Sequence, residues 1–184
     1  QIWISANTDA LTGLYNRRFF YEYMNENRKE NQLSLLYVDL DDFKKVNDAH
    51  GHHIGDGALE LVARLMREAF PGDFIVRLGG DEFLICLVGE RSLAFLEEKA
   101  NRLLQSLLGA FQASDYLRVM SASIGIASSA DPGTKLDDLV RQSDIAMYAA
   151  KQSGKSRCCV YSSGMIKKCR FFEALCAGKR LLAG

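Results

Sequence analysis

The strongest constraint on how this chain can fold lies between residues 74 and 88. There the apolar runs Phe74-Ile75-Val76 and Phe83-Leu84-Ile85-Cys86-Leu87-Val88 flank Arg77-Leu78-Gly79-Gly80-Asp81-Glu82. Two strand-like runs joined through paired glycines define a β-hairpin, and its tip carries two adjacent carboxylates. Glycine permits a tight turn and a close approach by a ligand's phosphates, while paired acids gather negative charge suited to a hard divalent cation. The same dipeptides also make ordinary solvated turns, so the hairpin by itself leaves both readings open.

The run Leu33 to Leu40 is almost continuously apolar, as expected of a strand buried on both faces, and it ends in the acids Asp39, Asp41 and Asp42. Before it, the pattern predicts an incoming helix through Ala6, a polar break over Thr8 to Leu14, and a helix from about Asn16 to Glu30 with Phe19, Phe20 and Tyr23 on one stripe. After it come a glycine- and histidine-rich turn through Gly51, Gly55 and Gly57, a helix from about Gly57 to Ala69, and then the hairpin. An amphipathic helix over Ser92 to Leu108, a strand over Leu117 to Ser128, a helix over Leu136 to Lys151 and a short strand over Arg157 to Tyr161 follow, with helical character from Ser163 onward. The heart of this order, β-α-β-β-α-β, is that of a ferredoxin-like or palm-type α+β domain with an antiparallel central hairpin. In that topology the first strand lies beside the hairpin, which places Asp39 near Asp81 and Glu82.

With 184 residues, 48% hydrophobic and 25% charged, the chain suits one compact domain with a sizeable core. Basic and acidic residues each number 23, so no global field favours nucleic acid or an anionic membrane, and any polyanion must be bound locally. No run approaches the roughly 18 apolar residues of a membrane span, and no basic-flanked apolar leader opens the chain. A soluble, cytoplasmic piece of a larger protein, without direct membrane contact of its own, is the expectation. The five cysteines form no C-x-x-C pair, which predicts a reducing compartment and incidental thiols.

Asp39, Asp81 and Glu82 together can supply one or two Mg²⁺ ions, and two such ions about 3.5–4 Å apart suit nucleotidyl transfer. Asp41 and Asp42 either join them or cap the helix that follows. Lys44, one turn after the acids, is either a phosphate contact or a solvated lysine. Asn47 and Asp56 carry groups that match guanine's edge, or serve as turn and cap residues. Lys151 and Lys155 complement a helix C-terminus, or grip a triphosphate tail. An EF-hand counted from Asp39 would put Lys44 at the required glycine and His50 at the bidentate glutamate. His50, His52 and His53 lack the partner spacing of a zinc site, and Gly154-Lys155-Ser156 follows a helix with Ala149 where a P-loop needs its first glycine.

Assembled in order, these residues resemble the GGDEF family of diguanylate cyclases over roughly Thr8 to Tyr161. The matching segments are Asp9-Ala10-Leu11-Thr12-Gly13-Leu14-Tyr15-Asn16-Arg17-Arg18, Asp39 to Asp56, Arg77 to Phe83, Ser123-Ile124-Gly125, and Asp144-Ile145-Ala146-Met147-Tyr148-Ala149-Ala150-Lys151. The resemblance implies the palm-type fold of nucleotide cyclases and condensation of two GTP molecules into cyclic di-GMP with release of two pyrophosphates. It also implies an antiparallel homodimer that meets through the active-site face, with one GTP per domain. By position, Asp39, the carbonyl of Leu40, Asp81 and Glu82 resemble the ligands of two Mg²⁺ or Mn²⁺ ions, and Asp81, Glu82 and Lys44 the catalytic groups. Phe43, Lys44, Asn47, His52, Asp56, Gly79, Gly80, Lys151 and Lys155 resemble the substrate contacts, with Asn47 and Asp56 facing guanine.

Two departures stand out. Lys155-Ser156 replaces the family's Arg-Asn, keeping a charge but losing a bidentate fork. Phe70 replaces the arginine of the Arg-x-x-Asp product-inhibition site that ends at Asp73, which predicts little product inhibition there. The resemblance divides the chain into an incoming helix or linker (1–8), the cyclase domain (9–162) and a C-terminal helix or linker (163–184). A sensory domain is expected before it and a phosphodiesterase-type domain after it. The alternatives are a catalytically silent GTP-binding module that controls a neighbouring domain, and a mononucleotide cyclase or polymerase palm; the latter fits the acids but not all five segments.

Overall fold

Residues 2–129 and 131–165 are described in the computed structural model of the chain. A short helix, α1 (Ile2–Asn7), leads through a tight loop to a two-residue strand, β1 (Tyr15–Asn16), and directly into α2 (Arg17–Asn27). Asn16 caps α2, its side chain accepting the Phe19 N–H at 2.9 Å. Then come β2 (Leu33–Asp41), α3 (Phe43–His50), α4 (His52–Ala69), the hairpin β3 (Phe74–Gly79) and β4 (Glu82–Val88), and α5 (Leu93–Gln112). The remaining elements are β5 (Ser121–Ser128), α6 (Leu136–Gln152) and β6 (Arg157–Val160).

The six strands form one sheet in the order β1-β3-β4-β2-β5-β6. Its four central strands have the expected palm-type arrangement: β2 lies antiparallel to both β4 and β5. Because helices cover both faces of the sheet, the alternate side chains of β2 enter two cores, which is why its sequence reads as one apolar run. Leu36, Val38 and Leu40 pack with α4 and α5 on one face. Leu33, Leu35 and Tyr37 pack with α2 and α6 on the other. Asp39 and Asp41 continue this second series, so the strand's period of two aims both acids toward the face covered by α6.

Several boundaries differ from the sequence expectation. The glycine-rich segment is not a turn: α4 begins at His52, and Gly55 and Gly57 lie inside it. Only Gly51 breaks the chain, with φ of 85° and an N–H that closes α3 on the Asn47 carbonyl at 2.8 Å. Strand β5 starts at Ser121 rather than Leu117, and α5 runs on to Gln112 because Phe111 is buried. β1, two residues paired parallel to β3, is too short to leave a period. The expected C-terminal helix lies largely outside the described residues. Among the described residues no helix is long and apolar enough to cross a membrane. Cys86 is buried and Cys158 partly so, and burial pushes both thiols up to about 12, far from the thiolate form a nucleophile requires.

Candidate active site

The hairpin tip is held in an unusual conformation by side chains outside it. Register shifts between Arg77 and Gly79, and the chain turns over Gly79 (φ 146°) and Gly80 (φ 52°), values that favour glycine. Arg77 donates through Nε (3.2 Å) and Nη2 (2.8 Å) to the Gly80 carbonyl and through Nη1 to Asp9 Oδ1 (3.1 Å). Asp9 also accepts the Thr12 N–H and hydroxyl, so the loop that follows α1 and the tip share one polar anchor. Burial alone would raise the Asp9 carboxyl, yet these bonds hold it below the usual range. A Cβ at either Gly79 or Gly80 would meet nothing within 4 Å, so the tip opens onto free space where a ligand can approach the backbone.

Strand pairing brings the expected acids together. Asp39 and Glu82 are cross-strand partners, and the Leu40 N–H donates to the Asp81 carbonyl at 3.2 Å. The Leu40 side chain points to the opposite face, into the core. Burial, followed by the nearby Asp144, Glu82 and Asp39 carboxylates, pushes the Tyr37 phenol up.

The position of Lys151 was not legible in the sequence. It reaches from α6 to Asp39 Oδ1 at 2.8 Å and Asp41 Oδ1 at 3.1 Å. Asp41 is fully buried and caps no helix; it accepts from Ser121 Oγ (2.6 Å), Ser123 Oγ (2.8 Å) and the Ser156 N–H (3.1 Å). Burial would raise Asp41, but this full set of donors lowers it. Asp39 fares differently: burial first, then the Asp81 and Glu82 charges, outweigh Lys151 and push it up to about 6. The two acids share one ammonium, and the acid with serine support takes the larger benefit. Asp42, with φ of 60° at the start of α3, makes no side-chain cap; it instead pairs with Lys45 at 3.0 Å and Lys155 at 3.2 Å. Helix capping, expected for Asp41 or Asp42, is therefore replaced by three acid–lysine ties, one at Asp41 and two at Asp42. Lys155 and Ser156 both have positive φ, 62° and 48°, a strained pair that the Asp41 and Asp42 contacts stabilise.

Asn47 and Asp56 sit on the facing helices α3 and α4. The Asn47 Oδ1 atom is buried and has no hydrogen-bond partner among the described residues. It packs where a Cβ on Gly55 would stand, 1.8 Å away. An unpartnered buried acceptor is costly unless a ligand's N–H completes it. Asp56 is exposed and lines a groove of about 350 Å³ with Leu11, His53 and Tyr116. Phe43 packs against the core beside Asn47, while Lys44 and His52 are exposed. The position expected to carry the inhibitory arginine holds Phe70, 1% exposed in the core, with Lys99 above its ring at 4.7 Å. Asp73 lies beyond it, half-buried and raised first by burial, with the Arg91 and Lys99 charges opposing.

A divalent cation fits this donor set. Asp39 and Glu82 face each other across the strand pair, burial and the neighbouring acids push the Asp39 carboxyl up, and an ammonium already serves Asp39 as a counter-cation. Among the described residues, no three His, Cys, Asp or Glu side chains stand gathered around one point.

The raised Asp39 carboxyl has a consequence for stability. Its contribution is present below the unfolded value of 3.8 and is lost as pH rises through about 6, so ionised Asp39 opposes folding at neutral pH. With a chelator present, Asp39→Asn is expected to raise stability at pH 8 by about 2 kcal/mol, seen as a higher Tm, the gain fading between about pH 6 and pH 4. Thermal denaturation at pH 8 and pH 4 measures this.

Fold and site together define a palm-type α+β domain of the nucleotide-cyclase class. The family described as "Diguanylate cyclase, GGDEF domain" matches residues 6–157, and the chain belongs to the GGDEF family. It is 38% identical over 176 residues to cyclic di-GMP phosphodiesterase PdeR of Escherichia coli (strain K12), covering 94% of this chain and 26% of that protein. It is 32% identical over 170 residues to a diguanylate cyclase of Vibrio cholerae, covering 88% of this chain and 51% of that protein. The coiled coil and GGDEF domain of DgcB from Caulobacter crescentus, solved in complex with c-di-GMP, aligns with a TM-score of 0.79 at 27% identity, over 87% of this chain and 88% of that one. The chain thus spans from a quarter to a half of these two curated relatives.

Proposed function

We propose that this domain condenses two GTP molecules into cyclic di-GMP, working as a homodimer in which each domain presents one GTP to the other. The observation that carries the reading is the pairing of Asp39 with Glu82 beside Asp81, and it is supported by the buried, unpartnered Asn47 acceptor between α3 and α4. Asn47 Oδ1 accepts an N–H of the guanine edge, and Asp56 accepts a second. The open glycine tip admits the phosphates, and Lys44, Lys151 and Lys155 neutralise them. Asp39, Glu82, Asp81 and the Leu40 carbonyl would hold Mg²⁺ or Mn²⁺, which supplies charge neutralisation at the reacting phosphate and leaving pyrophosphate. Asp81, at the tip, would accept the proton of the attacking 3′-hydroxyl, with Glu82 beside it. In the longer protein we propose a cytoplasmic setting with a sensory region and a phosphodiesterase region. The second is supported by the name of the PdeR relative, most of which lies outside the aligned stretch.

The test is to incubate the purified chain with GTP and Mg²⁺ and separate the nucleotides. Cyclic di-GMP is expected, and Asp81→Ala should cut its formation at least about a hundredfold while leaving the melting temperature nearly unchanged. GTP binding without any product, at concentrations where the chain is dimeric, would refute the cyclase reading.

A further inference from the structure

The cyclase reading asks Lys151 to meet phosphate, yet the structure places its ammonium between Asp39 and Asp41. The two ends of that bridge are unequal. Asp41 is immobilised: it has no exposed surface and receives two serine hydroxyls and the Ser156 N–H besides the lysine. Asp39 has Lys151 as its one hydrogen-bond donor among the described residues, and it faces Glu82 across the strand pair. One contact is anchored and the other is readily given up. Lysine suits such a role, because its ammonium is a point charge on a flexible stem that can swing about a fixed partner. The Lys151 side chain is 24% exposed, so its ammonium is not sealed between the two acids.

We infer that Lys151 is an exchangeable counter-cation: it neutralises Asp39 while the site is free of nucleotide, and passes to the incoming triphosphate by pivoting on Asp41. The identity of the incoming ligand rests on the cyclase reading; the exchange itself rests on the unequal bridge. Asp41 is then a positioning residue, tethering the lysine in both states and holding the Lys155-Ser156 turn beside it. A divalent cation arriving alone must compete with an ammonium at 2.8 Å, so metal loading is coupled to nucleotide arrival.

The decisive measurement is Mn²⁺ binding to the full chain without nucleotide, read by electron paramagnetic resonance, for the wild type, Lys151→Gln and Lys151→Met. Loss of the competing charge should tighten Mn²⁺ about tenfold in both variants, and adding Asp39→Asn should remove that gain. The same variants should bind a non-hydrolysable GTP analogue with Mg²⁺ about tenfold more weakly, so the two affinities move in opposite directions. Mn²⁺ bound no more tightly by either variant would overturn the inference. A wild-type structure with Mg²⁺ and the analogue gives a second arm that requires no variant. Lys151 Nζ on phosphate and Asp41 supports the exchange, and Lys151 still paired with Asp39 overturns it. These readouts stand apart from turnover. A chain that makes no cyclic di-GMP yet shows the Mn²⁺ gain loses the cyclase reading and keeps the exchange, and the converse result does the reverse.

Discussion

Gly125→Ala is expected to lower the melting temperature by roughly 6–12 °C, corresponding to at least about 3 kcal/mol for a domain of this size. A Cβ at this position in β5 would stand 2.0 Å from the Ser143 carbonyl oxygen, 2.2 Å from the Met147 nitrogen and 2.8 Å from the Met147 Cα. All three are backbone atoms of α6, so no rotamer change relieves the clash and the helix itself must move. That helix carries Lys151, whose 2.8 Å contact with Asp39 depends on how closely α6 sits on the sheet. The substitution should therefore weaken GTP binding along with stability. Calorimetry and nucleotide titration on the same preparation measure both. A melting temperature within about 2 °C of wild type would mean that α6 can lift off the sheet at little cost.

Gly55→Ala is expected to do the opposite: leave stability almost unchanged and raise KM for GTP about tenfold to a hundredfold. Alanine ordinarily strengthens a helix interior by about 0.5–1 kcal/mol relative to glycine. Here the added Cβ meets Asn47 Oδ1 at 1.8 Å and Asn47 Cγ at 2.9 Å, and the asparagine side chain, unlike a backbone, can rotate away. The helix's gain offsets the cost of moving the asparagine, while the amide proposed to read guanine is displaced. Gly57, in the same helix, has nothing within 4 Å of its Cβ position, so Gly57→Ala supplies the internal control for the propensity gain. Steady-state kinetics beside thermal melts separate the cases, and an unchanged KM in Gly55→Ala would remove Asn47 from the guanine site.

These two glycines mark the boundary of what can be read from the chain. Both fall in segments that carry the family resemblance, but nothing local distinguishes a glycine that turns the chain from one that admits a neighbour. Gly55 and Gly57 read as part of a turn because glycine is a poor helix former, whereas tertiary packing around Ala58, Leu59 and Val62 overrides that preference. Gly51 does make a turn, and its positive φ is a property of the break between α3 and α4. The Asp41 environment was hidden for a related reason: its donors come from Ser121, Ser123, Lys151 and Ser156, all at least 80 residues away in sequence.

The sequence by itself determined the β-α-β-β-α-β order, the doubly buried first strand and the hairpin that sets Asp81 and Glu82 beside Asp39. Each of these follows from hydrophobic period, turn chemistry and chain connectivity, which are local or nearly so. Only the tertiary structure decided which acid has its acceptors filled and which does not. Strand period aims Asp39 and Asp41 at the same helix, but Asp41 is saturated by distant serines and a backbone N–H, while Asp39 is left with a single lysine and repelling neighbours. That difference arises from where α6 and the turn after it dock, a matter of packing between segments far apart in the chain.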